Sequence, residues 1–188
     1  DAIWGIDPLE ELDAFPRLGI RAKLFEKTDR TRAKVYEMAD DLIRNTDTFA
    51  NKCPSPGAPS ILVDQVRAFL RVVAAVADTV EHVFNGGPMP EQLRLAIIGA
   101  GGTGKSEVVL LMHEFIRFWL DKRASRQLAL MNSVAARLRG RTIHKDLAWN
   151  PHQTRADQQK ALALDSVLSA LQTRYGECRF LFLDEVSM

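Results

Sequence analysis

The sequence predicts an α/β fold, a parallel sheet with flanking helices preceded by a mainly helical N-terminal segment. The first observation is a set of short apolar runs that read as buried strands: Leu93-Arg94-Leu95-Ala96-Ile97-Ile98, Leu128-Ala129-Leu130-Met131 and Phe180-Leu181-Phe182-Leu183. The second is the segments around them, where apolar residues recur every three or four positions, as on one face of a helix. The third is the glycine-rich octapeptide Gly99-Ala100-Gly101-Gly102-Thr103-Gly104-Lys105-Ser106, placed between a predicted strand and a predicted helix.

Residues 1–51 form a charged lead-in whose role is not legible from its residues. Within it, 31–44 is amphipathic, with Val35, Met38, Ala39, Leu42 and Ile43 on one face. Residues 52–60 hold Pro54, Pro56 and Pro59, which remove backbone donors and fix φ, so this stretch is a linker. A helix then spans about 61–84, with Val63, Val66, Leu70, Val73, Ala77, Val80 and Phe84 spaced by threes and fours; Asn85-Gly86-Gly87-Pro88 ends it. The run 93–98 leads into the octapeptide. A helix over 107–123 follows, burying Val108, Leu111, Met112, Phe115, Ile116, Trp119 and Leu120. Beyond the strand at 128–131, the start of a helix over 134–138 gives way to a loop around Gly140. Asn150-Pro151 breaks the chain, and a helix carrying Leu164, Val167, Leu168, Leu171 and Tyr175 leads to the last strand.

Composition narrows the class. In 188 residues with a net charge of +1, no apolar run approaches the length of a membrane span, and no signal or transit peptide is visible. The chain opens on Asp1 rather than Met, so we read it as a fragment of a longer intracellular parent. Cys53 and Cys178 lie far apart, with no C-x-x-C pair and no cysteine–histidine cluster; they read as free thiols, and neither a zinc site nor a disulfide framework is suggested. Charge is uneven. Residues 1–90 lean acidic and 91–188 lean basic, with Lys122, Arg123 and Arg126 in one group and Arg137, Arg139, Arg141 and Lys145 in another. Such groups are usually solvated faces, unless their position ties them to a site.

The octapeptide fits G-x-x-x-x-G-K-S, the phosphate-binding loop of P-loop NTPases. Glycines let backbone amides close round phosphates, Lys105 reaches the β and γ oxygens, and Ser106 ligates Mg²⁺. Gly99, Gly101, Gly102, Thr103, Gly104, Lys105 and Ser106 are therefore the expected ATP contacts, at a helix N-terminus where free amides favour anions. Asp184-Glu185 follows the last apolar run at once, at the carboxyl end of a strand, where an open α/β sheet binds ligands. Asp184 is placed to hold Mg²⁺ directly or through water, and Glu185 to deprotonate the attacking water. An acidic pair capping a surface strand is the bland alternative.

Taken together, Gly101-Gly102-Thr103-Gly104-Lys105-Ser106, Val134-Ala135-Ala136 with Gly140-Arg141-Thr142-Ile143-His144, and Leu183-Asp184-Glu185-Val186-Ser187-Met188 resemble the superfamily-one DNA helicases of the petite-integration-frequency family. The helicase portions of Helitron transposons look similar. The resemblance covers about 61–188 and implies a first RecA-like ATPase domain, cut short at its C-terminal end, with a second such domain in the parent. It further implies ATP hydrolysis coupled to 5′-to-3′ movement on single-stranded DNA, in repair, recombination or telomere maintenance, and a nuclear location. Asp64-Gln65-Val66-Arg67-Ala68-Phe69 resembles the family's glutamine motif with aspartate in place of glutamate, which makes Gln65 an adenine reader; a helix-surface amide is the alternative. The middle motif implies DNA contacts at Asn132, Ser133, Arg137, Arg139, Arg141, Thr142 and His144. Asn132-Ser133 stand where the family has Thr-Gly, and Thr142 can equally cap the turn that follows it. A P-loop ATPase of another kind, or a non-catalytic remnant of a mobile element, remains the alternative.

Overall fold

Helix boundaries follow from local chemistry. The hydroxyl of Thr31 accepts the amide of Lys34 (3.4 Å) and so starts α1, Arg32–Asn45. Helix α2, Ile61–Asn85, runs the full predicted length and ends where the chain turns at Gly86, with the Gly87 amide returning to the Glu81 carbonyl (3.0 Å). Helix α3, Lys105–Trp119, begins at the lysine of the octapeptide, two residues earlier than its apolar pattern suggested, and stops short of the predicted 123. The computed structural model describes residues 15–18, 25, 29–45, 61–147, 154–162 and 165–184. The linker predicted at 52–60 lies outside them.

The chain divides into two compact units, Asp1–Leu120 and Asp121–Met188. In the described part of the first, α1 packs on α2 and α2 on α3. Val35, Met38 and Leu42 of α1, Phe69, Val73, Val76 and Val80 of α2, and Leu111, Met112, Phe115 and Trp119 of α3 are all withdrawn from solvent. Phe115 stands edge-on to both Phe69 (5.3 Å) and Trp119 (6.4 Å). The predicted faces of α1 and α3 are the buried ones; on α2 the buried face is rotated from the predicted one, with Val73, Ala77 and Val80 buried as expected but Phe69, Val72 and Val76 taking the place of Val63, Leu70 and Phe84, which are exposed. The strand predicted at 93–98 is not formed: the segment carries no regular structure and is largely exposed, Ile98 at 93%. An apolar run becomes a strand only where another strand meets its amides and carbonyls, and among the described residues of this unit there is none.

The second unit carries the sheet. Strand β1, Ser125–Ala129, lies between β2, Arg141–Thr142, and β3, Phe180–Asp184, all parallel, in the order β2-β1-β3. Helix α4, Asn132–Arg137, connects β1 to β2; α5 (Ile143–Asp146), α6 (Arg155–Leu162) and α7 (Asp165–Tyr175) lie between β2 and β3. Thr154 caps α6, its hydroxyl bonding the Asp157 amide and carboxylate (3.2 and 2.6 Å). The observed α/β layout is thus a small parallel sheet with flanking helices. Two expectations shift. Strand β1 starts three residues before the predicted 128 and ends at Ala129, because Ser125, Arg126 and Gln127 already pair with β3, and Ser125 and Gln127 are buried although polar. Strand β3 is half exposed rather than buried, with Leu181 and Leu183 at 49% and 51%, and α7 buries no residue.

Candidate nucleotide loop and basic segment

The octapeptide folds into a tight turn on the N-terminus of α3. Gly102 and Gly104 take left-handed backbone (φ 76° and 78°), Gly104 as the residue that opens the helix, and side chains would be strained at both. Gly101 is different. A Cβ there would meet nothing within 4 Å, so no neighbour demands a glycine, and the loop is open on that side to an approaching ligand. At Gly99 a Cβ would crowd the Thr103 hydroxyl (3.3 Å). The ammonium of Lys105 lies over the loop and donates to the carbonyls of Gly99 (2.6 Å) and Ala100 (2.7 Å), while Thr103 donates to Ala100 O (2.8 Å). Ser106 and Lys105 are the first residues of α3, partly exposed, where unpaired amides and the helix dipole draw anions. These residues fit a triphosphate: a cationic side chain, a hydroxyl and a glycine cradle converge on one helix end.

Gln65, expected to read adenine, donates from Nε2 to the Thr103 carbonyl (2.7 Å), so the N-terminal part of α2 is tied directly to the loop. On α3, burial pushes the His113 imidazole down to about 3, with help from Arg117, and the ring is neutral at physiological pH. Burial pushes the Glu114 carboxyl up, and hydrogen bonds and charge from Arg17 pull against it.

In the second unit the register sets Thr142, Ala129 and Asp184 side by side at the carboxyl ends of the three strands. That is the edge at which parallel sheets hold ligands. Asp184 is partly exposed there. Glu185 lies outside the described residues. The Mg²⁺ pair expected from sequence, Ser106 and Asp184, has one member in each unit.

The basic segment separates into three environments. Asn132, Ser133, Arg137 and Arg139 are exposed on and after α4, Arg139 with φ of 55°. Thr142 caps α5, its hydroxyl accepting the Lys145 amide (3.4 Å), and His144 is partly buried on that helix. Arg141 lies 3.6 Å from the Asp146 carboxylate, with 39% of its side chain exposed.

Asp146, which no motif in the sequence marks, is the hub of this unit. It is fully buried and takes two hydrogen bonds from Arg126 (2.8 and 3.2 Å) and one from the Tyr175 hydroxyl (2.5 Å). Arg174 donates to its backbone carbonyl, and Arg126 lies over the Tyr175 ring, 5.0 Å from its centre. Burial pushes the Asp146 carboxyl up, but the bonds from Tyr175 and Arg126 and the charges of Arg126 and Arg174 outweigh it and hold the pKa below the usual carboxylate value. Burial and Asp146 together push the Tyr175 phenol far above its ordinary range. The one signal in the sequence was an isolated acid closing a run of bases, Arg137 to Lys145. No family model, curated protein or solved structure matches the chain.

Proposed function

We propose that this chain binds ATP at residues 99–106 and serves as the first motor portion of an ATP-dependent DNA helicase. The observation that supports it best is the loop itself: two left-handed glycines, an open face at Gly101, and Lys105 and Ser106 leading into α3. In this reading the loop amides and Lys105 hold the β and γ oxygens, and Ser106 would ligate Mg²⁺, which when bound would neutralise charge on the phosphates. Glu185 accepts the proton of the attacking water. Lys105 then exchanges its two carbonyl partners for phosphate oxygens, which are stronger acceptors because they are charged. The helicase refinement rests on the joint resemblance of the three motifs; the row of Thr142 and Asp184 along one sheet edge supports it.

One observation favours a second reading, a P-loop protein that binds nucleotide without turning it over: residues 93–98 stand exposed instead of bracing the loop from a sheet. Two measurements separate these. A fluorescent ATP analogue with Mg²⁺ is expected to bind the chain, and Lys105→Ala to weaken it at least about tenfold, the loss of a charge-assisted contact. Equal binding by the variant would remove the loop from the site. Turnover by the parent chain should rise with single-stranded DNA more than with RNA and fall roughly 10² to 10⁴-fold in Glu185→Gln. Absence of DNA-stimulated turnover would favour the non-hydrolysing reading.

A further inference from the structure

Residues 15–18 of the lead-in pack on α3, the helix that the nucleotide loop opens. Residues 15–18 form a turn, closed by Leu18 N–H to Phe15 O (3.1 Å), that is stapled to α3: Leu18 is fully buried and Phe15 stands edge-on to Phe118 at 5.9 Å. Between them Arg17 bridges two acids of α3. Its amide and Nη1 donate to the buried Glu114 carboxylate (2.7 and 3.1 Å), and its Nε and Nη2 both donate to Glu107 Oε2 (3.1 and 3.0 Å). Glu107 is one residue beyond Ser106, in the first turn of α3, and 52% of its side chain is exposed.

A carboxylate in a first helical turn suits the helix dipole, yet next to an anionic ligand it repels what the loop is built to attract. We propose that Arg17 is a positioning residue for nucleotide binding: its guanidinium neutralises Glu107 and so removes the only acidic charge in the first turn of α3 from the field of the triphosphate. This rests on reading residues 99–106 as the nucleotide loop. Without Arg17 the charges of Lys105 and Glu107 oppose each other within one helical turn; with it, the excess at the helix end is positive. The contact also gives residues 15–18 a part in the site, although they lie about ninety positions away in sequence.

Full-length chain is titrated with a fluorescent ATP analogue and Mg²⁺ at low and high salt, with folding followed by circular dichroism. Arg17→Ala is expected to weaken binding on the order of tenfold at low ionic strength and much less at high salt, because the restored repulsion is screened. The double variant Arg17→Ala/Glu107→Gln should return to about the wild-type affinity, and Arg17→Lys should keep most of it. Glu107→Gln alone leaves the Arg17–Glu114 pairing in place and should tighten binding about threefold; it keeps the proposal testable where Arg17→Ala fails to fold. Unchanged affinity in both Arg17→Ala and Glu107→Gln, or loss in Arg17→Ala that Glu107→Gln does not rescue, would overturn charge compensation and leave Arg17 as packing for Glu114. Failure of the nucleotide reading looks different: the wild type would not bind, or Lys105→Ala would bind as well as it does, and the role given to Arg17 would fall with it.

Discussion

Gly140 shows how much one missing methyl decides. The pairing of Leu128 with Arg141 puts Gly140 opposite Gln127, and a Cβ there would lie 2.2 Å from the Gln127 carbonyl oxygen and 2.9 Å from its carbonyl carbon. Both obstacles are backbone, so neither can rotate away, and β2 can lie against β1 only if residue 140 has no side chain. Gly140→Ala should therefore destabilise the second unit by about 2–4 kcal/mol, at the upper end of overpacking costs. Urea denaturation followed by a probe in that unit checks it, and an unmoved midpoint would mean that the strands give way at little cost. The sequence offered Gly140 only as part of a motif. Its steric reason needed the register of β1 with β2, which no spacing in the chain reveals.

At the scale of elements, legibility tracked what each element packs against. Helices α1 and α3 were readable because each buries the continuous stripe its period marks, Val35, Met38 and Leu42 on one and Phe115 and Trp119 on the other, whereas α2, apolar on more than one side, turned inward a neighbouring stripe that includes Phe69 and Val76 and left Leu70 and Phe84 exposed. Strands were less readable. Residues 93–98, apolar but for Arg94, and 180–183 both read as strands, yet only the second pairs, because pairing is a contact with a distant segment and not a property of the run. Strand β1 was misplaced because its inward residues include Ser125 and Gln127, which a hydrophobic pattern does not count. The Asp146 hub was missed for a related reason: Arg126, Arg141, Arg174 and Tyr175 are spread over about fifty positions and meet only after folding. This hub joins α5 and α7 to β1 where apolar burial does little, since α7 buries no residue. Asp146→Asn removes the charge that three guanidiniums face, so it should cost about 3–5 kcal/mol, the penalty for breaking a buried pair from one side. Thermal unfolding of the second unit measures it. A shift no larger than that of an exposed pair such as Arg123–Glu177 would show that the network is dispensable.

Across the whole molecule, a net charge of +1 conceals a division of labour, because bases predominate only in the second half. The structure sorts those bases further than sequence could. Arg141 is engaged with the buried Asp146, whereas Arg137 and Arg139 stand exposed next to Asn132 and Ser133. If the proposed DNA contact is correct, the two groups answer differently to replacement. Each exposed arginine that touches a phosphate releases counterions, so Arg137→Ala/Arg139→Ala should make the slope of log affinity against log salt for single-stranded DNA shallower by roughly 0.7 per contact, nearly independent of base sequence. Stability should hardly change, since neither side chain is buried. Arg141→Ala should do the reverse, lowering unfolding stability through Asp146 and leaving the salt slope close to its original value. Titrations of the parent chain with single strands of two unrelated sequences, over a range of salt, test both halves of the statement. A double variant with unaltered slope would mark Arg137 and Arg139 as a solvated face and leave the DNA reading without a contact surface among the described arginines of this segment.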